Sequence, residues 1–270
     1  MKTFIRYFFY GNTWISLGAV CYLQTALWLF GLQTTFAVYC TVFLATYCTY
    51  QLSFLGTKQA SSAKFDLPLK TLNIFKILFW IACFLLAICL CFLSFLQLLF
   101  LSHLAFIAIF YTKNFFWKHL PLRKIPYQKS LLVSYVWVSM SVVFPLISVP
   151  SALNFNLFYI FLARFLCFVA IVLPFDIRDS ETDKHMQLAT VYNKMSKIHY
   201  KLLIAIVLAI SLCLHGYAFS TYILLFVVIH ILILLLNIFA KPQKHELYFT
   251  GLLDGVMFLE CLGMAFYQKM

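Results

Sequence analysis

The acidic residues of this chain are concentrated in one short segment, Asp176-Ile-Arg-Asp-Ser-Glu-Thr-Asp-Lys184, in a sequence with only 8 Asp and Glu in total. If the segment is helical, Asp176, Asp179 and Asp183 fall at positions i, i+3 and i+7 and share one face. Three like charges on one face repel each other unless a cation or a basic partner lies among them. Because carboxylate oxygens suit a hard divalent cation, this pattern predicts a site of the kind that binds Mg²⁺.

A second interpretation of the same segment is a solvated loop. Its acids would then cap the start of a helix and offset Arg178, Lys184 and nearby lysines. The spacing alone does not separate this interpretation from the metal site.

The composition is that of an integral membrane protein. The chain has 270 residues, of which 64% are hydrophobic and 10% are charged, and its mean hydropathy is +0.95. The formal net charge of +12 is explained by basic residues beside membrane helices and by anionic lipid headgroups, so we expect no nucleic-acid partner. The nine cysteines lie in apolar runs and are interpreted as small residues facing lipid or the core.

The apolar runs predict an all-α fold, a polytopic bundle of about nine transmembrane helices, since a span needs about 20 mostly apolar residues. We expect one membrane domain over residues 1–270. The predicted spans are Gly11 to Phe30, Thr34 to Phe54, Leu72 to Leu93, Phe95 to Tyr111, Ser130 to Val149, Leu153 to Phe175, Leu202 to Leu214, Tyr217 to Phe239 and Leu247 to Tyr267. The third and fourth are nearly fused, which leaves an eight-helix count open, and the seventh is expected to begin before Lys201.

Lysine and arginine alternate between the connections, and this pattern predicts the orientation. They occupy the N-terminus and the even connections, whereas the odd connections carry none. The basic residues are Lys2, Arg6, Lys58, Lys64, Lys70, Lys113, Lys118, Arg123, Lys124, Lys129, Arg178, Lys184, Lys194, Lys197, Lys201, Lys241 and Lys244. We therefore expect the N-terminus and the long loops to face the cytoplasm, with the chain in a bacterial inner membrane.

The acidic segment resembles the second aspartate-rich motif of the UbiA-type intramembrane prenyltransferases, D-x-x-D-x-x-x-D followed by Lys or Arg. The length, the predicted topology and the position after the sixth span agree with that family. The resemblance implies transfer of a prenyl group from a polyprenyl diphosphate to a lipophilic acceptor, with Mg²⁺ as cofactor. It also implies that Asp176, Asp179 and Asp183 are catalytic and bind the metal, with Lys184 near the phosphates.

The chain departs from that family at the first aspartate-rich motif. The family has this motif at the end of its second helix, where this chain has residues Tyr50 to Lys58 without an acid. Asp66 is the carboxylate in that connection, and it is considered as a substitute ligand or as an ordinary loop acid. One half of a two-sided metal clamp is therefore missing from the sequence.

Basic residues of the fourth connection are candidates for binding the diphosphate, because its departure requires neutralisation of the developing negative charge. They are Lys113, Arg123 and Lys129, and the alternative explanation for each is topology alone. Within the spans, Arg164 is expected at a depth similar to that of Glu260, so it could pair with Glu260 or with Asp254. We interpret this pair as structural, with a substrate cavity as the alternative.

Three functions remain open from the sequence. The first is a UbiA-like prenyltransferase, and the second is a non-catalytic relative that binds an isoprenoid lipid or a partner. A small-solute transporter is the third, although the two halves show no matching helices interrupted by Gly or Pro. The sequence does not indicate an oligomeric state.

Overall fold

The computed structural model describes residues 8–9, 11–56, 69–112, 121–150 and 154–269, and these residues form an all-helical bundle. The α-helices are α1 Thr13–Leu29, α2 Phe36–Gly56, α3 Leu69–Leu90, α4 Phe95–Thr112, α5 Gln128–Val138, α6 Phe144–Leu146, α7 Phe155–Arg178, α8 Ser180–His185, α9 Val191–Lys194, α10 Lys197–Ala218, α11 Ile223–Phe239 and α12 Asp254–Tyr267. A π-helical stretch, Ser139–Val143, joins α5 to α6, and another, Tyr248–Leu253, precedes α12.

Six helical segments among the described residues are long and apolar enough to cross a membrane. They are Asn73–Leu90, Gln128–Leu146, Phe155–Arg178, Lys197–Ala218, Ser220–Phe239 and Tyr248–Tyr267. The helices Thr13–Leu29 and Phe95–Tyr111 are apolar but shorter. The protein is therefore an integral membrane protein. A turn ends α3 before α4 begins, so the nearly fused third and fourth runs are two helices, and α10 begins before Lys201 as expected.

Helix α7 lies at the centre of the bundle and packs against α5, α10 and α11. Ile160, Ala163, Arg164 and Ala170 of this helix are all fully buried. Helix α3 is the opposite case, since it packs mainly on α2 and exposes most of its apolar side chains. Central α7 is thus held from several sides, and the acidic segment begins within its last turns.

Pro174 lies inside α7, where its missing N–H leaves the carbonyl of Ala170, four residues earlier, without its helical donor. Asn237 of α11 supplies the replacement, because its Nδ2 donates to the Ala170 carbonyl at 3.0 Å. The helix continues through the proline to Arg178. Asp176 therefore belongs to a continuous helix rather than to a loop.

The connections around the acidic segment are tied to each other by backbone and capping bonds. The N–H of Tyr127, just before α5, donates to the carbonyl of Ala189 at 2.9 Å. Thr190 caps α9 and Ser196 caps α10, each by accepting a bond from a backbone N–H. The bond from Tyr127 to Ala189 holds the start of α5 against the connection that follows α8, and the two caps fix the starts of α9 and α10 locally.

Candidate functional site

The three predicted aspartates converge on one ammonium group, that of Lys129. Its Nζ lies 2.7 Å from Asp183 Oδ2, 3.4 Å from Asp179 Oδ2 and 3.3 Å from Asp176 Oδ1. The common face predicted for these three positions is therefore confirmed, and so is the basic partner that their charges require. We call Lys129, Asp176, Asp179 and Asp183 the aspartate–lysine cluster.

Helix α5 positions Lys129 in its first turn. Tyr127, in a left-handed conformation with φ of 62°, precedes that turn, so the chain turns sharply into the helix. Ser130 follows Lys129 and donates from its Oγ to Asp176 Oδ2 at 2.9 Å. Two neighbouring residues of α5 thus contact the end of α7, and the side chain of Lys129 retains only 18% exposure.

A second basic residue, Arg178, neutralises the outer side of the cluster. Its Nε donates to Asp179 Oδ1 at 2.8 Å and its Nη2 donates to Asp179 Oδ2 at 3.1 Å. Its Nη1 donates to Glu246 Oε1 at 2.8 Å, which connects the cluster to the segment before α12. Lys129 and Arg178 are both engaged by carboxylates, so the protein's own basic groups offset much of the negative charge of the cluster.

The two aspartates of the cluster that lie outside the spans, Asp179 and Asp183, have pKa shifts of opposite sign. Burial by itself would raise the pKa of Asp179, but the adjacent Arg178 guanidinium and the Lys129 ammonium hold it below its usual range. The pKa of Asp183 is raised, because burial outweighs the hydrogen bond from Lys129. Asp179 is therefore the more firmly ionised of the two.

The position of Lys129 argues against a divalent metal in this arrangement. An ion shared by the three carboxylates would lie where their oxygens converge, and the Lys129 ammonium is at that point. Among the residues that the structure describes, no group of three or more His, Cys, Asp or Glu side chains is arranged to hold a metal ion. The residues present do not fit Mg²⁺ unless Lys129 moves away.

The location of the missing first motif contains neutral polar residues. Gln51 is fully buried there, and its Oε1 accepts a 2.7 Å hydrogen bond from Asn12 Nδ2. Tyr50 precedes it and accepts a 3.0 Å hydrogen bond from Trp137 Nε1. Asp66 lies outside the described residues, as do Lys2, Arg6, Lys58, Lys64 and Lys118 of the predicted basic loops. The described end of α2 therefore contributes amide and phenol groups rather than carboxylates.

An apolar cleft lies between α1, α2, α4 and α5, and it shares helix α5 with the cluster. Its volume is about 100 Å³, and its lining includes Ala45, Ala108, Val136, Trp137 and Tyr50. Val136 lies seven residues after Lys129, so the two share a face of α5 about 10 Å apart along the helix. On α4, Ala108 lies one turn before Tyr111, which is within electrostatic range of Lys129 and Asp176.

The remaining predicted site residues have different environments. Arg123 lies in the short helix Leu122–Lys124 and interacts electrostatically with Asp183. Lys184 is exposed and forms no ion pair with any acid in the described part of the chain, so its role near a phosphate stays a prediction. Lys113 lies outside the described residues. Sequence reasoning missed Ser130 and Glu246, which carried no spacing signal.

Deeper in the bundle, Arg164 pairs with Glu260 as the sequence analysis predicted. The Arg164 Nη2 group contacts both Glu260 Oε1 and Thr25 Oγ1, and its Nη1 donates to the Tyr22 carbonyl at 2.7 Å. The guanidinium also lies 3.9 Å from the centre of the Tyr22 ring. These contacts satisfy the buried charge and support the structural interpretation of this pair.

Two histidines within the helices, His230 and His103, make short polar contacts between helices. His230 Nε2 lies 2.8 Å from Ser211 Oγ, and Ser211 donates to the Ala163 carbonyl at 2.8 Å, which links α10 and α11 to α7. His103 Nε2 lies 3.1 Å from the Tyr135 hydroxyl, between α4 and α5.

The helices and the site together define an all-α integral membrane protein with a buried charged cluster and an apolar cleft that share helix α5. Comparison with protein-family models found no match, and comparison with curated proteins also found none.

Comparison with solved structures found a match to a digeranylgeranylglyceryl phosphate synthase, a protein that acts in membranes. The match has a TM-score of 0.58 and covers 98% of each chain at 16% sequence identity. That synthase is a UbiA-type intramembrane prenyltransferase, so the chain has the UbiA-type fold, as the acidic motif indicated. At this identity the match establishes the fold and leaves the activity to be argued from the site.

Proposed function

We propose that this protein binds an isoprenoid lipid in its apolar cleft, as a UbiA-fold protein whose polar end is closed by its own ion pairs. The observation that carries this proposal is the relation between the cleft and the cluster. The cleft and the cluster share helix α5, since Val136 and Trp137 line the cleft and Lys129 lies in the first turn of that helix, and Lys129 and Arg178 are both engaged by carboxylates. A lipid with a neutral polar end matches such a surface better than a free diphosphate does.

The dimensions of the cleft indicate how such a lipid would lie. Pockets for small molecules usually measure roughly 300–1,000 Å³, whereas this cleft measures about 100 Å³. It therefore accommodates a short stretch of an apolar chain, and the remainder of the lipid lies in the bilayer. The small side chains of Ala45 and Ala108 leave the space that the chain fills, and Tyr50 is available to hydrogen-bond a hydroxyl.

The topology of the proposal follows the sequence analysis. Adding Phe36–Gly56 and the two shorter apolar helices to the six candidate spans gives about nine spans. With the basic loops on the cytoplasmic side, the aspartate–lysine cluster faces the cytoplasm, in a bacterial inner membrane.

Photo-crosslinking tests the lipid proposal. A geranylgeraniol that carries a diazirine should label the purified protein, and unlabelled polyprenol should compete better than a diacyl phospholipid of similar length. Ala108→Phe fills the cleft and should abolish labelling, whereas Ile109→Phe, at a lipid-exposed position of the same helix, should leave it unchanged. Equal labelling of both variants would contradict the proposal.

Prenyl transfer is a second candidate, supported by the UbiA-type fold and by three aspartates at the position of the second motif. In it a polyprenyl diphosphate donates its prenyl group to a lipophilic acceptor, and Asp176, Asp179, Asp183, Lys129, Arg123, Lys113 and Lys184 act on the diphosphate end. This candidate requires Lys129 to leave the carboxylates, which would then be free for Mg²⁺. Pyrophosphate release that depends on Mg²⁺ would favour it over binding alone.

A further inference from the structure

We infer that Lys129 is the built-in cation of the three-aspartate site and takes the place of a divalent metal ion. The inference concerns what neutralises Asp176, Asp179 and Asp183, and it holds whichever lipid occupies the cleft. Its first support is geometric, because one ammonium group lies within 3.4 Å of an oxygen of each carboxylate.

A second, independent observation comes from the most deeply buried of these acids. Asp176 is 1% exposed, and its Oδ1 is buried without a hydrogen bond, although it lies 3.3 Å from Lys129 Nζ. Its other oxygen accepts from Ser130. This buried oxygen is therefore stabilised by the charge of the ammonium rather than by a directed hydrogen bond. A small metal ion of higher charge at the same place could stabilise it in the same way.

The charges explain why the Lys129 ammonium and a divalent metal ion exclude each other from this site. Three carboxylates around one ammonium leave a negative surplus, which Arg178 reduces from the outer side through Asp179. A divalent ion added beside Lys129 would lie within a few ångströms of a like charge, and that repulsion is large where water is scarce. Removal of the ammonium leaves the same oxygens uncompensated and able to accept a metal.

Metal binding to purified full-length protein tests this inference without reference to activity. Three proteins are compared: the parent, Lys129→Ala and Lys129→Arg. Binding of MgCl₂ is measured by calorimetric titration, and binding of MnCl₂ is measured by electron paramagnetic resonance. Lys129→Ala should bind one divalent ion at least about tenfold more tightly than the parent, whereas Lys129→Arg, which keeps a cation, should resemble the parent. Lys124→Ala removes an exposed lysine of the same connection and serves as the matched control.

Thermal unfolding gives a second readout if Lys129→Ala folds poorly. Mg²⁺ should raise the unfolding temperature of Lys129→Ala and leave that of the parent unchanged. If Lys129→Ala cannot be purified with or without Mg²⁺, the double variant Lys129→Ala/Asp179→Asn replaces it, because this variant has one fewer unpaired carboxylate. Mg²⁺ must then raise the unfolding temperature of the double variant. Saturable binding by the parent, or no gain in any variant that lacks the ammonium, would overturn the inference.

Discussion

The ammonium of Lys129 donates a hydrogen bond to Asp183 across 2.7 Å, and this contact joins the first turn of α5 to the short helix α8. The same ammonium faces Asp176 and Asp179, so one side chain neutralises an acidic face that the sequence presents without a visible partner.

Asp179 should give the protein a component of stability that disappears in acid. Its pKa is lowered in the folded state, because Arg178 and Lys129 outweigh the effect of burial. When the pKa of an aspartate is lower in the folded protein than in the unfolded chain, where it is near 3.9, its ionised form stabilises the fold. That stabilisation is complete above the pKa of the unfolded chain and is lost as the pH falls through the pKa of the folded protein. Unfolding in detergent from pH 6 to pH 3 should show the parent losing its advantage over Asp179→Asn below about pH 4. A constant difference across that range would contradict the shift.

The buried pair of Arg164 and Glu260 should respond strongly to the loss of one partner. Glu260→Leu leaves an uncompensated guanidinium in the bundle and should lower the free energy of unfolding by about 3–5 kcal/mol. The double variant Arg164→Met/Glu260→Leu removes both charges and should cost less than Glu260→Leu alone. Chemical unfolding of the parent and the two variants in micelles measures the difference, and a double variant that is less stable than Glu260→Leu would argue against the pair.

Asn237 should be coupled energetically to Pro174. Asn237→Leu removes the donor to the Ala170 carbonyl and should destabilise the protein by about 1 kcal/mol. Pro174→Ala restores a backbone N–H that can bond the same carbonyl, so in that background Asn237→Leu should cost clearly less. The double-mutant cycle is measured by thermal unfolding, and a coupling energy of zero would show that the amide does not substitute for the helical bond.

Helices α2 and α3 should be joined by mild oxidation. The sulfur atoms of Cys48 and Cys83 lie 3.8 Å apart, close enough for a small movement to bring them to the roughly 2.05 Å of a disulfide. Copper phenanthroline should therefore protect both thiols from alkylation, as detected by mass spectrometry, and Cys48→Ser should leave Cys83 reactive. Persistent alkylation of both cysteines in the oxidised parent would contradict the packing of α3 on α2.

The sequence predicts the parts of this structure that depend on local periodicity. Apolar runs predict the helices, and the spacing of Asp176, Asp179 and Asp183 predicts their shared face. The similar depths of Arg164 and Glu260 predict their pairing. The partner of Asp179 could be predicted only as a basic group, because Lys129 lies 50 positions away and reaches it through the packing of α5 on α7.

Other features of the site carry no local signal. Glu246 reaches Arg178 from a connection 68 positions later. Asn237 compensates for Pro174 from a different helix, and α7 continues past the proline to Arg178. The metal ion was expected at the acidic segment because carboxylate oxygens are good ligands for it. The types of these residues do not show that a lysine from another helix lies among the carboxylates.

Release of pyrophosphate from geranylgeranyl diphosphate tests the central claim most directly. Purified parent protein, Asp179→Asn and Asp183→Asn are incubated with the diphosphate, several lipophilic acceptors and MgCl₂ or EDTA. Because Lys129 holds the three carboxylates, we predict that the parent releases no more pyrophosphate than the two variants and that Mg²⁺ makes no difference. Release by the parent that requires Mg²⁺ and is lost in Asp179→Asn would contradict the account and favour prenyl transfer.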